Sequence, residues 1–197
     1  MLDPSDSMHA LCQVFKTCGN NDVVTLKKEE DSDVLMISFE NPDQERYSAF
    51  EVKLIDIDCE HLGIPETDYK CTVKLPSAEF QKICRDLKEF GETVQIAVQE
   101  KEAISFTVNG DIGNGAVTLK KRDNADRDSE KVAIAMEEPV TLAFALRYLN
   151  FFTKATPLAE AVSLNITKDV PLIVAYDLND SPEKGYLHFY LAPKIDD

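Results

Sequence analysis

One pattern recurs along this chain and limits its fold more than any other: a short amphipathic helix followed by three strand-like runs. After a helix near 8–17 come VVTL (23–26), DVLMISF (33–39) and YSAFEVKL (47–54). After a helix at 77–90 come TVQIAVQ (93–99), AISFTVN (103–109) and GAVTLKK (115–121). After a helix through 140–154 come EAVSLNI (160–166), VPLIVAYDL (170–178) and YLHFYLA (186–192). A strand precedes each later helix, YKCTVKL (69–75) and KVAIAME (131–137). The unit is β-α-β-β-β, present twice in full and once without its first strand. Sliding Met8–Lys28 until Met8 meets Leu146 also pairs His9 with Arg147, Leu11 with Leu149 and Lys16 with Lys154. Val24, Thr25 and Leu26 then fall on Val162, Ser163 and Leu164. Repeats of alternating strands with one helix each predict antiparallel sheets with helices on one side, an α+β fold.

The helix at 77–90 places Phe80, Ile83, Cys84, Leu87 and Phe90 on one face, with Ser77 as its expected N-cap. In the helix through 140–154, Leu142, Ala145, Leu146 and Leu149 are expected inward, and Pro157 is expected to stop it. Near 8–17, Met8, Leu11, Cys12 and Phe15 form the apolar stripe, ended by Gly19. The acidic stretch IDIDCEHLGIPETD (55–68) reads as a tether over the surface. The domains are therefore expected at 1–54 (the later part of a first domain), 55–68 (the tether) and 69–197 (a complete second domain).

The longest apolar stretch, LAFALRYLNFF (142–152), is broken by Arg147 and falls short of the ~18 residues a membrane helix needs. MLDPSDS lacks the regions of a signal peptide, so an intracellular protein with no membrane partner is expected. Five cysteines without a Cys-x-x-Cys pair read as reduced thiols. The three histidines His9, His61 and His188 lack metal-binding spacing. GDIGNG (110–115) precedes a strand-like run and not a helix, which makes it a hairpin turn and not a phosphate loop. Neither an enzyme nor a bound metal or cofactor is expected.

Charge placement is more informative. The chain carries 36 acids against 21 bases, a net charge of −15. Yet the helix at 8–18 holds Lys16 and no acid, and the helix at 140–155 holds Arg147 and Lys154 and no acid. The helix at 78–90 balances Lys82, Arg85 and Lys88 against Glu79, Asp86 and Glu89. All of the excess acid thus lies off these helices. On the helix wheels His9, Gln13 and Lys16 align, as do Arg147, Asn150 and Lys154, and Lys82 with Arg85. A repeated non-acidic face suits contact with a phosphate backbone, which needs cations without base-specific geometry. At the end of the last strand, YLAPKI (190–195), with the proline of VPLIVAY and the Leu-Gly-Ile-Pro of the tether, suggests a shallow apolar groove for a short peptide.

LRYLNFFTKATPL (146–158), LGIPE (62–66), GDIGNG (110–115), KICRDL (82–87), DVPLIV (169–174) and YLAPKI (190–195) together resemble the eukaryotic sliding clamps of the proliferating cell nuclear antigen family. The likeness covers essentially the whole chain. It implies a nuclear, non-enzymatic homotrimer of head-to-tail subunits around duplex DNA. Such a ring is placed by a clamp loader and gives processivity to DNA polymerase while docking replication and repair proteins through their clamp-binding peptides. By position, the resemblance makes His9, Lys16, Lys82, Arg85, Arg147 and Lys154 the DNA-facing residues. It makes Leu62, Ile64, Pro65, Pro171, Tyr190, Ala192 and Pro193 the peptide pocket, and Lys101 the site for ubiquitin-like modifiers. The strands around Ala49–Leu54 and Ala116–Lys121 resemble the edges that pair between subunits. Gln13 and Glu89 depart from the family, which usually offers a basic or His side chain there. The turn at Asn179–Gly185 is a few residues longer than usual, and the opening β-α-β-β-β unit has no counterpart here. A second reading is a ring-incompetent adaptor that binds peptides without encircling DNA.

Overall fold

The computed structural model describes residues 4–30, 32–54, 67–123, 130–178 and 182–194. Three α-helices and twelve strands lie among them. The chain divides into two compact units, Met1–Pro65 and Glu66–Asp197. Strand pairing is antiparallel throughout, so the fold is α+β, built from repeated helix-and-strand units.

In the first unit α1 (Pro4–Phe15) precedes β1 (Val23–Lys28), β2 (Val34–Asn41) and β3 (Arg46–Lys53), a sheet in the order β1-β2-β3. Alternation turns Ile37 and Phe39 of β2 and Val52 of β3 inward, where they are buried. Leu11, Val14 and Cys18 pack against them with Leu35 and Phe50. The expected stripe of α1 is therefore rotated: Met8 is 61% exposed and Cys12 is exposed, while Phe15, 40% exposed, keeps its ring 6.0 Å from Phe39. Two apolar stripes share Leu11, and packing on the sheet selects the one through Val14. Opposite Phe39 and Ile37 stand Val24 and Leu26. Both remain exposed although they belong to the core side. A polar corner closes the unit: Asn41 Nδ2 donates to Asp22 Oδ1 at 2.8 Å, and the Gly19 amide donates to Asp22 Oδ2 at 2.8 Å.

The second unit contains β4 (Cys71–Pro76), α2 (Ser77–Lys88), β5 (Thr93–Glu100), β6 (Ala103–Gly110) and β7 (Gly113–Lys120). There follow β8 (Ala133–Met136), β9 (Val140–Ala145), α3 (Leu146–Phe152), β10 (Ala161–Ile166), β11 (Leu172–Asp177) and β12 (Tyr186–Leu191). They form a five-stranded sheet, β12-β11-β10-β4-β8, and a four-stranded sheet, β7-β6-β5-β9. Helix α2 lies beside α3 and touches strands of both sheets. Its stripe of Phe80, Ile83, Cys84 and Leu87 is buried, as expected from the spacing, with the Phe80 ring 6.2 Å from Phe106. Burying each such side chain contributes roughly 1.5–3 kcal/mol.

Four local expectations change. Residues 140–145 are a strand and not the start of a helix: Val94 faces Phe144, Ile96 faces Leu142 and Val98 faces Val140. The apolar run fits a helical period as well as a strand period, and pairing with β5 decides between them. Consequently β9, not the 131–137 run, leads into α3; β8 instead pairs with β4. Ser77 is the first helical residue and not a cap, and its hydroxyl donates to the Ala159 carbonyl at 2.6 Å. Phe90 lies beyond the helix and is 40% exposed. Pro157 does not stop the second helix either, since α3 has already tightened into a 3-10 turn over Thr153–Leu158 that contains this proline. GDIGNG forms a hairpin in which Gly110 pairs with Gly113, whose φ of 149° suits glycine.

Candidate functional site

The site is framed by the α2–α3 pair. Asn150 Nδ2 donates to the Cys84 carbonyl at 3.0 Å and to the Leu146 carbonyl at 2.9 Å. Gln81 Nε2 donates to the Thr153 carbonyl at 2.9 Å. Asn150 is thus half-buried and joins the helices, where the wheel placed it with Arg147 on the outer face. Around this joint Lys82, Arg85, Arg147 and Lys154 are all exposed. The Arg147 guanidinium stacks 4.5 Å from the Tyr148 ring centroid and donates to its hydroxyl. Lys154 Nζ lies 5.2 Å from the Phe151 ring centroid. Aromatic faces of this kind hold a cation in place without cancelling its charge. Arg85 differs, since Asp86 Oδ1 lies 3.3 Å from its Nε and offsets part of its charge.

In the first unit His9 and Lys16 are exposed. Gln13 Nε2 lies within hydrogen-bond distance of His9 Nε2, at 3.0 Å. Lys16 follows the last helical residue, and its amide still donates to the Cys12 carbonyl at 3.2 Å.

At the far end of the five-stranded sheet a groove is lined by Leu142, Lys168, Asp169, Val170, Pro171, Ala192, Pro193 and Lys194. The structure therefore brings Pro171, Ala192 and Pro193 together. Tyr190 is half-buried on β12 opposite Ile173 and is not part of this lining. Leu62, Ile64 and Pro65 lie outside the described residues. The groove is braced by Tyr69, whose hydroxyl donates to the Pro171 carbonyl at 2.8 Å; burial, and then Tyr190, push this phenol above its ordinary value. At the groove's lip Asp169 takes a φ of 65°, a left-handed turn that Asp tolerates better than most residues.

Leu142 is the residue that sequence reasoning missed most clearly. Assigned to a helix, it pointed at a core; on β9 it still packs against the core and also lines the groove. Asp169 and Val170 open the run DVPLIV, yet neither they nor Lys168 were singled out as groove residues. Lys194 was also missed. Its amide donates to the Ala143 carbonyl at 2.7 Å and its Nζ to Thr93 Oγ1 at 2.7 Å. Both bonds require contacts far apart in sequence.

Lys101 is exposed in the turn between β5 and β6. Strands β3 and β7, which contain most of the two expected pairing segments, are edge strands of their sheets. Their outward row of unpaired backbone groups can accept another strand. Among the described residues no group of three or more His, Cys, Asp or Glu could hold a metal ion.

Two family models match the chain. The one described as Proliferating cell nuclear antigen, C-terminal domain, covers residues 63–194. The one described as Proliferating cell nuclear antigen, N-terminal domain, covers residues 5–61.

Proposed function

The chain belongs to the proliferating cell nuclear antigen family of sliding clamps, and from that premise we propose that it is a nuclear clamp subunit acting as a processivity factor and docking platform. The observation that carries this reading is the placement of Lys82, Arg85, Arg147 and Lys154 on the exposed side of one helix pair, in a chain of net charge −15. Cations grouped on an exposed face attract a phosphate backbone even where the chain as a whole is acidic. Such contact is independent of base sequence and permits sliding.

His9 and Lys16 extend the same role to the first unit. Edge strands β3 and β7 would join neighbouring copies head to tail, in the homotrimer that the family implies. The groove at Pro171, Ala192 and Pro193 would take the apolar anchors of peptides from DNA polymerase and other clamp-binding proteins, and the role proposed for Leu62, Ile64, Pro65 and Tyr190 is the same. A clamp loader would place the ring, and Lys101 would carry ubiquitin-like modifiers. Residues 69–197 would form the complete second clamp domain behind the tether at 55–68.

The test is retention on DNA. Loaded chain should stay on closed circular duplex, slide off once the circle is cut, and bind linear duplex weakly, with loss on added salt. The double variant Arg147→Glu, Lys154→Glu should abolish retention while keeping its thermal transition. Unchanged, tight and sequence-specific binding by that variant would overturn the reading.

A further inference from the structure

A second pocket, of about 460 Å³, adjoins the ends of α2 and α3 and is lined by Lys88, Glu92, Ala145, Arg147, Tyr148 and Lys194. Three cations and one acid meet there, in a chain where acids outnumber bases 36 to 21. Lys194 lines this pocket and the apolar groove alike, so the two recesses share a wall. We infer that the pocket is a subsite for an acidic side chain of a peptide held in the groove. This rests on the groove being a peptide site, as argued above, and it adds the chemistry of the segment flanking the apolar anchors.

Two of the three cations are fixed in advance. Lys194 is held through its own amide on Ala143 and through Nζ on Thr93. Arg147 is held against the face of Tyr148. Cations already ordered lose little freedom when an anion arrives, so more of the attraction survives as affinity. Ala145 and Tyr148 supply an apolar floor for the stem of an Asp or Glu side chain. Continuity with the groove is what favours a peptide over nucleic acid: a chain leaving the groove past Lys194 enters this pocket directly. Lys82 and Lys154, in contrast, line neither recess.

The test uses the full chain and labelled peptides sharing one aromatic and aliphatic anchor. One peptide carries an Asp-Glu pair before the anchor, a second carries it after, and a twin carries serines at both places. One of the two acidic peptides should bind about 1.5- to 5-fold more tightly than the twin, the range for exposed ion pairs. That advantage should shrink as salt rises. In Lys88→Ser, which alters the pocket and leaves the groove lining intact, the advantage should fall while the twin binds as before. Lys88→Ser, Lys194→Ser should remove it. Equal affinities for all three peptides, or an advantage that persists in the double variant, would overturn the inference. So would a Lys88→Ser variant that loses DNA retention with its acid preference intact, which would assign the pocket to nucleic acid. If no peptide binds at all, the groove reading itself fails and takes this inference with it.

Discussion

Gly110 sits so close to Phe90 that a Cβ on Gly110 would overlap the Phe90 carbonyl group. The hairpin of β6 and β7 is thereby pressed against the end of α2, with no room for a side chain between them. Both partners at the contact are backbone, so rotamer changes cannot relieve a clash. Gly110→Ala should therefore destabilise the second unit by on the order of 2–4 kcal/mol, well above an ordinary surface substitution. Thermal denaturation checks this. An unchanged midpoint would mean that the hairpin is free to move off the helix.

The corner at Asp22 should make the first unit sensitive to acid. Its carboxylate accepts bonds from the Gly19 amide and the Asn41 amide group, and these hold its pKa below the ordinary value, the Gly19 bond most. A folded pKa below the unfolded one gives stability that is fully present above the unfolded value, near ~3.9, and is lost as pH falls through the folded value. Hydrogen exchange should show protection in β1 and β2 falling on that acid limb. Asp22→Ala should lower protection at neutral pH and flatten the limb. An acid limb of unchanged steepness in the variant would mean that another carboxylate governs this unit.

Thiol reactivity should divide the described cysteines by burial. Cys12 is exposed, whereas Cys71 and Cys84 are buried, and burial pushes their thiols up to about 11 and about 12. Since the thiolate is the nucleophile, alkylation near pH 8 should reach Cys12 readily and spare Cys71 and Cys84 until the chain unfolds. Peptide mapping after a short pulse of iodoacetamide reads this directly. Early labelling of Cys84 would show that α2 opens in the native state.

Much of the architecture is legible in the sequence because its elements carry one dominant period. The helix at Ser77–Lys88 has apolar residues at a single spacing, and strands β4, β5, β6 and β10 alternate between buried and more exposed positions. Reading stops where two periods fit the same residues. The run VTLAFA lies directly before a true helix, and its apolar residues continue that helix's face backwards. Only the register against β5 makes it a strand, and that strand is what delivers Leu142 to the groove. Likewise α1 offers two stripes that share Leu11, and the sheet chooses between them.

The residues alone carry the repeat, the α+β class, the family likeness and the cations placed on the helices. Those follow from local spacing and from residue type, which need no partner to be read. The tertiary structure alone decided which cations are held in place, that Asn150 joins two helices, and that Lys194 stands between two recesses. Each depends on groups distant in sequence: Thr93 and Lys194 are 101 residues apart, and Cys84 and Asn150 are 66 apart. No local pattern encodes such a distance. It arises when burial of the apolar faces closes the chain on itself and carries the polar groups along, and a hydrogen bond then forms wherever two of them are left facing.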